Sequence, residues 1–140
     1  MSLFLLDTDI LSLVEQGHPV VLHHVNSHPI ADLTVSAISI QEQMQGFQAA
    51  VTRARDHQQL ALAYDRLVNR LLPVWHRFVV VSFPEPAIRR FEHLRSLRLN
   101  VGLMDLRIAA IALESSLTVV TRNRRDFGRV PGLVIVDWSI

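Results

Sequence analysis

Four acidic side chains stand where an apolar segment ends or a helix opens: Asp7 in LLDTDI, Glu42 in SISIQEQMQG, Asp105 in GLMDLRIAA and Asp126 in TRNRRDF. If an α/β fold draws them together, their like charges raise one another's pKa unless a cation intervenes. A divalent metal is the natural counter-charge, and carboxylates around such a metal equip a site for phosphodiester hydrolysis. A metal-activated water then attacks the phosphate, and no nucleophilic side chain is required.

Each acid also has a plainer explanation. Asp7 is a common N-cap residue, and position alone leaves that use level with a functional one. Asp9 would complement the positive end of a helix macrodipole, with an auxiliary part at the site as the alternative. Ser39-x-x-Glu42 fits a capping box, which pattern alone favours for Glu42. Asp126 sits among Arg122, Arg124 and Arg125 and would form surface pairs of little energetic weight. Asp105 is different. It is the only charged residue between Arg98 and Arg107 and opens the most apolar helical stretch, where an unpaired charge costs several kcal/mol.

The elements that must position these groups follow from hydrophobic periodicity. Leu3–Leu6 reads as a buried strand, and Ile10, Leu11 and Val14 as a helix stopped by Gly17. His18–His28 forms a second short helix closed by Pro29. Leu33–Ile38 is the next strand, after which Ser39 opens a helix to about Arg55. Leu60, Tyr64, Leu67, Leu71, Trp75 and Phe78 recur at intervals of three and four, so residues 58–78 read as one long amphipathic helix. Val79–Phe83 is a strand, Glu85–Leu97 a helix, and Met104–Leu117 a helix apolar nearly all round. Leu117–Thr121 is a strand, Asn123–Gly128 a turn, and Leu133–Asp137 a last strand. Strands alternating with helices predict an α/β fold in three layers, a mostly parallel sheet of about five strands covered by helices on both faces. Ligands of such sheets bind beyond the carboxyl ends of the strands, where Asp7 falls.

A chain of 140 residues with 49% hydrophobic content supports one core, so residues 1–140 read as a single domain. No membrane span or signal peptide is recognisable, and a cytoplasmic protein is expected. Cysteine is absent, so any metal is held by oxygen or imidazole. Residues 1–88 carry five Arg against eight Asp and Glu, whereas residues 89–140 carry nine against five. No Lys occurs, and the arginines suit bidentate phosphate contacts as well as they suit a GC-rich codon bias. His24 and His28 have metal-ligand spacing but no third ligand, and Trp75 and Trp138 read as core packing rather than base stacking.

Taken together, LLDTDILS, SAISIQEQMQG and DLRIAAIALESSLTVVTRNRRDFGRVPGLVIVDW resemble the PIN-domain ribonucleases, specifically the VapC toxins of bacterial toxin–antitoxin pairs. The resemblance implies a PIN-like fold and an endoribonuclease using Mg²⁺, with Mn²⁺ as the alternative, that leaves a 5′-phosphate and a 3′-hydroxyl. It implies that Asp7, Glu42, Asp105 and Asp126 bind the metal and are catalytic. Thr121 corresponds to the Ser or Thr supporting the metal–water network, and Asn123 belongs to the same motif. Thr8 and Asp9 are read as auxiliary; Arg122, Arg124 and Arg125, placed beside Asp126, suit the RNA backbone and equally suit solvent or a protein partner. A cognate antitoxin and a homodimer are the implied protein partners. Gly102-Leu103-Met104 departs from the Gly-Pro-Asn turn frequent before the third acid.

Two rival readings remain. FLLDTDI also resembles the opening motif of haloacid-dehalogenase-type phosphatases, but those enzymes use a Lys, and this chain has none. The second is a PIN-like module that binds RNA or protein without cleaving.

Overall fold

A computed structural model describes residues 3–140. Its sheet has five parallel strands in the order β3-β2-β1-β4-β5: β1 Phe4–Leu6, β2 Leu33–Ser36, β3 Val79–Val81, β4 Thr118–Val120 and β5 Ile135–Val136. Successive side chains of a strand face opposite sides of the sheet. Leu5 accordingly packs with Phe91, Leu94, Leu106, Ile108 and Ile111, from α6 (Glu85–Ser96) and α7 (Leu103–Ser115). Leu6 packs the other way, against Ile10, Leu11 and Val14 of α1 (Thr8–Glu15) and Val21 and Val25 of α2 (Pro19–Asn26). The three-layer α/β expectation is met, and among the described residues no helix is long and apolar enough to cross a membrane.

Several boundaries differ from the sequence reading. Strand β2 stops at Ser36, whose extended backbone makes it the N-cap of α3 (Ala37–Arg53), so the helix opens two residues before Ser39. The long helix expected over 58–78 is interrupted. It runs as α4 (His57–Arg66), a π-helical turn over Leu67–Leu71, and α5 (Leu72–Arg77). Pro73 accounts for the interruption: it lacks an N–H and its ring crowds the preceding turn, a conflict that a widened turn absorbs. The Leu72 N–H accordingly reaches back to the Leu67 carbonyl. The turn expected at 123–128 is a short helix, α8 (Arg124–Phe127), and the last strand shortens to two residues.

Strands β2 and β4 flank β1, with Leu6 in register with both Val35 and Val120. The chain leaves β1 in one direction for β2 and β3, then returns on its other side for β4 and β5. The crevice between the carboxyl ends of β1 and β4 is thus the switch point where such sheets bind ligands.

Candidate active site

Asp7 follows β1 at that crevice. Its backbone N–H donates to the Val120 carbonyl at 3.0 Å, and its Oδ1 accepts from the Ile10 N–H at 2.8 Å, so the capping reading is correct as far as it goes. The residue is only 3% exposed. Burial pushes its carboxyl up to about 7, and Asp9 and Asp105 push the same way, against hydrogen bonds from Thr121 and the Ile10 backbone. Neutral donors lower the cost of that charge without cancelling it.

Asp105 is the third residue of α7, half-buried at the same edge. Burial first, then the charges of Glu42, Asp126 and Asp9, raise its carboxyl to about 6. Glu42 arrives from the second turn of α3 rather than the first. The expected capping box does not form, because Ser36 already caps this helix by accepting from the Ser39 N–H at 3.2 Å. Glu42 Oε1 instead accepts from Thr8 Oγ1 at 2.5 Å, and the Thr8 hydroxyl also lies 2.9 Å from Ser39 Oγ. Thr8 thereby ties the start of α1 to α3 and orients the acid.

Asp7, Asp9, Glu42 and Asp105 line one cavity of about 410 Å³, together with Thr8, Ser12 and Asn123. Asp126 lies outside that lining. Its Oδ1 accepts from Arg129 Nη1 at 3.0 Å and its Oδ2 from Asn123 Nδ2 at 3.1 Å, while its charge still reaches Asp105. Thr121 is buried, donates to Asp7 and accepts the Asn123 N–H at 2.9 Å, which joins the TRN turn to the first acid. Among the described residues no three carboxylates or imidazoles stand close enough to form a finished metal cage. The donor set nevertheless suits Mg²⁺, which takes one or two carboxylates and completes its octahedron with water and phosphate oxygens.

Arg122 donates to both carboxylate oxygens of Asp9, through Nε at 2.5 Å and Nη2 at 3.3 Å, across 113 positions of sequence. Arg124 and Arg125 are exposed and form no ion pair among the described residues. Ser12 escaped the sequence reading, and Ser39 was read only as a helix cap. The available signal was their helical spacing to acids and to Thr8, polar positions set into otherwise apolar faces. His24 and His28 stack on Trp138, with ring centroids 5.6 and 4.8 Å away, and Trp138 is buried in the α1–α2 core. Larger hollows lie between α3 and α4, about 460 Å³, and along α5, about 560 Å³. The first contains one carboxylate, Asp65, and the second none, so neither rivals the crevice for metal chemistry.

A parallel five-stranded α/β sheet with acids from the end of β1, α3 and α7 converging on its switch point defines a class, and the PIN domain family model matches residues 4–133. The chain belongs to the PIN domain family. Among curated proteins it is similar to Ribonuclease VapC2 of Rickettsia felis, 25% identical over 98% of each chain. Among solved structures it is similar to DNA-bound VapBC from Salmonella typhimurium, at TM-score 0.76 and 25% identity over 99% of each chain. A toxin–antitoxin complex from Klebsiella pneumoniae matches at TM-score 0.67 and 25% identity, over 93% of this chain and 94% of the other.

Proposed function

We propose that this protein, a single PIN domain over residues 1–140, is a VapC-type endoribonuclease toxin that depends on Mg²⁺ and is neutralised by a cognate antitoxin. The observation that carries the reading is a pair of acids, Asp7 buried and Asp105 half-buried, raised to about 7 and about 6 beside one open cavity with no cationic side chain in its lining. Arg122 offsets Asp9 at the rim, and a divalent cation from solution would neutralise the charge that remains on Asp7, Glu42 and Asp105. The curated ribonuclease relative and the VapBC and toxin–antitoxin structures support the substrate class and the partner.

Asp7, Asp105 and Glu42 would hold the metal, with the charge of Asp126 adding to theirs. Mg²⁺, or Mn²⁺ in its place, would neutralise the scissile phosphate and acidify the attacking water. Thr121 and the Ile10 N–H fix the orientation of Asp7, and Thr8 fixes that of Glu42. Asn123 holds Asp126 from its side chain. Arg124 and Arg125, free of ion pairs, contact the RNA backbone, while Arg122 stays anchored to Asp9 at the rim. The protein acts in the cytoplasm, and a homodimer completes the assembly.

The test is incubation of single-stranded RNA with the protein in Mg²⁺, in EDTA, and with Asp105→Asn. Cleavage is expected only in the first. Equal cleavage by the mutant contradicts the catalytic reading, and RNA retained without cleavage in Mg²⁺ favours the binding-module alternative. Induction of the protein alone should arrest growth, and co-expression of its antitoxin should restore it.

A further inference from the structure

We infer that Ser12 is a further substrate-positioning residue, its hydroxyl held as a hydrogen-bond donor to a phosphate oxygen in the carboxylate cavity by a relay through Gln43 and Trp75. The inference rests on the phosphodiester reading proposed above. The relay crosses three helices: Trp75 Nε1 of α5 lies 2.5 Å from Gln43 Oε1 of α3, and Gln43 Nε2 lies 3.3 Å from Ser12 Oγ of α1.

The direction of each bond is fixed by chemistry. An indole nitrogen only donates, so the end of Gln43 facing Trp75 is its carbonyl oxygen. The amide NH₂ then faces Ser12, and it too only donates. Ser12 Oγ is therefore the acceptor, and its own proton points elsewhere. Gln43 is 5% exposed, so water does not compete to turn the amide around. A reversed amide would set its NH₂ against the indole N–H and leave both donors unsatisfied.

Ser12 lines the same cavity as Asp7, Glu42 and Asp105, and no acceptor among the described residues takes its hydroxyl proton. It stands one helical turn beyond Thr8, on the same face of α1. The two hydroxyls divide the work: Thr8 donates to Glu42, and Ser12 keeps a donor for an anionic oxygen entering the cavity. A phosphodiester oxygen meets that donor with no proton of its own to offer.

The test is steady-state cleavage of a single-stranded RNA oligonucleotide in Mg²⁺ by the parent protein and four variants. Ser12→Ala should raise KM about tenfold with kcat within about twofold, because the lost bond acts on bound substrate and transition state alike. Ser12→Thr, which keeps the hydroxyl, should recover most of the loss. Trp75→Phe keeps the bulk and removes only the N–H, freeing the amide to turn, and should raise KM about threefold. Gln43→Met should fall between Trp75→Phe and Ser12→Ala. A purely structural role for the relay would lower Tm without separating KM from kcat.

An independent readout uses Trp138→Phe, which leaves Trp75 as the sole indole. Its emission should change during the binding phase of stopped-flow mixing with RNA, and Gln43→Met should abolish the change. If the parent cleaves while Ser12→Ala keeps the parental KM, or if Trp75 is silent on binding, the Ser12 relay is overturned and the nuclease reading stands. If the parent itself fails to cleave, the nuclease reading falls and takes this assignment with it.

Discussion

Helix α1 carries a buried carboxylate at each end, and the two have opposite surroundings. Glu15, its last residue, has a side chain 1% exposed, with Arg66 Nη2 2.6 Å from Oε1 and Arg70 Nη2 2.6 Å from Oε2. The Arg66 contact is an aligned hydrogen bond, whereas the Arg70 contact is ionic only. Asp7, at the other end, is nearly as buried, but its donors are a backbone amide and a hydroxyl; Asp9 and Asp105 act against its charge, and the Arg122 guanidinium, whose field reaches it, is hydrogen-bonded to Asp9 instead. Burial is thus common to both acids and does not distinguish them. Neutralisation does: the fold supplies guanidinium groups where the carboxylate joins α1 to the α4–α5 arm, and only neutral donors where the carboxylate faces the cavity.

The sharpest way to break this contrast is to remove charge at the cavity. Asp7→Asn or Asp105→Asn should lower RNA cleavage on the order of 10³-fold, while raising or preserving Tm in EDTA because a desolvated charge is lost. A Tm that falls together with activity would make these acids structural. At the opposite end, the double variant Arg66→Ala/Arg70→Ala leaves Glu15 buried without a cation. Urea denaturation should show a loss of about 3 kcal/mol, the cost of stranding a buried charge, with cleavage at low temperature largely retained. An unchanged midpoint would mean that the pair contributes nothing.

A smaller effect comes from pH. Asp7 titrates near 3.8 when unfolded and at about 7 when folded, so between those values the metal-free folded protein keeps a proton that the unfolded chain releases. Stability in EDTA should therefore rise as pH falls from 7 to 5, on the order of 2 kcal/mol. Asp7→Asn should flatten the slope, and a parent curve already flat would contradict the raised pKa. The smallest change is Thr8→Val, which frees Glu42 from its hydroxyl and should cost about tenfold in cleavage or less. Saturating Mg²⁺ should recover part of it.

Much of this was legible in the sequence because it is local. The alternation of apolar runs and amphipathic segments set the order of strands and helices, and the positions of Asp7 and Asp105 after β1 and at the start of α7 were readable from the chain. What escaped depends on choices between near-equivalent local solutions or on distant contacts. Ser36 and Ser39 are both competent N-caps, and only the end of the β2 ladder decides between them, which moved Glu42 out of a capping box and onto Thr8. The π-helical turn at Leu67–Leu71 preserves an apolar face, so periodicity passes over it. The Arg122–Asp9 pair and the Trp75–Gln43–Ser12 relay join residues 113, 32 and 31 positions apart, and nothing in their local context announces the partner. Asp126 was grouped with the other acids by motif, whereas its contacts are with Arg129 and Asn123.

The difference between the two ends of α1 reduces to whether Asp7 and Asp105 take up a divalent cation in exchange for a proton. Calorimetric titration of Mg²⁺ at pH 6.5, repeated in buffers of different ionisation enthalpy, measures both the binding and the protons released. With Asp7 at about 7 and Asp105 at about 6 in the metal-free protein, binding should release about one proton per protein. Asp7→Asn should release markedly fewer. Absence of Mg²⁺ binding, or binding with no proton release, would contradict the assignment of this edge as a metal-dependent site.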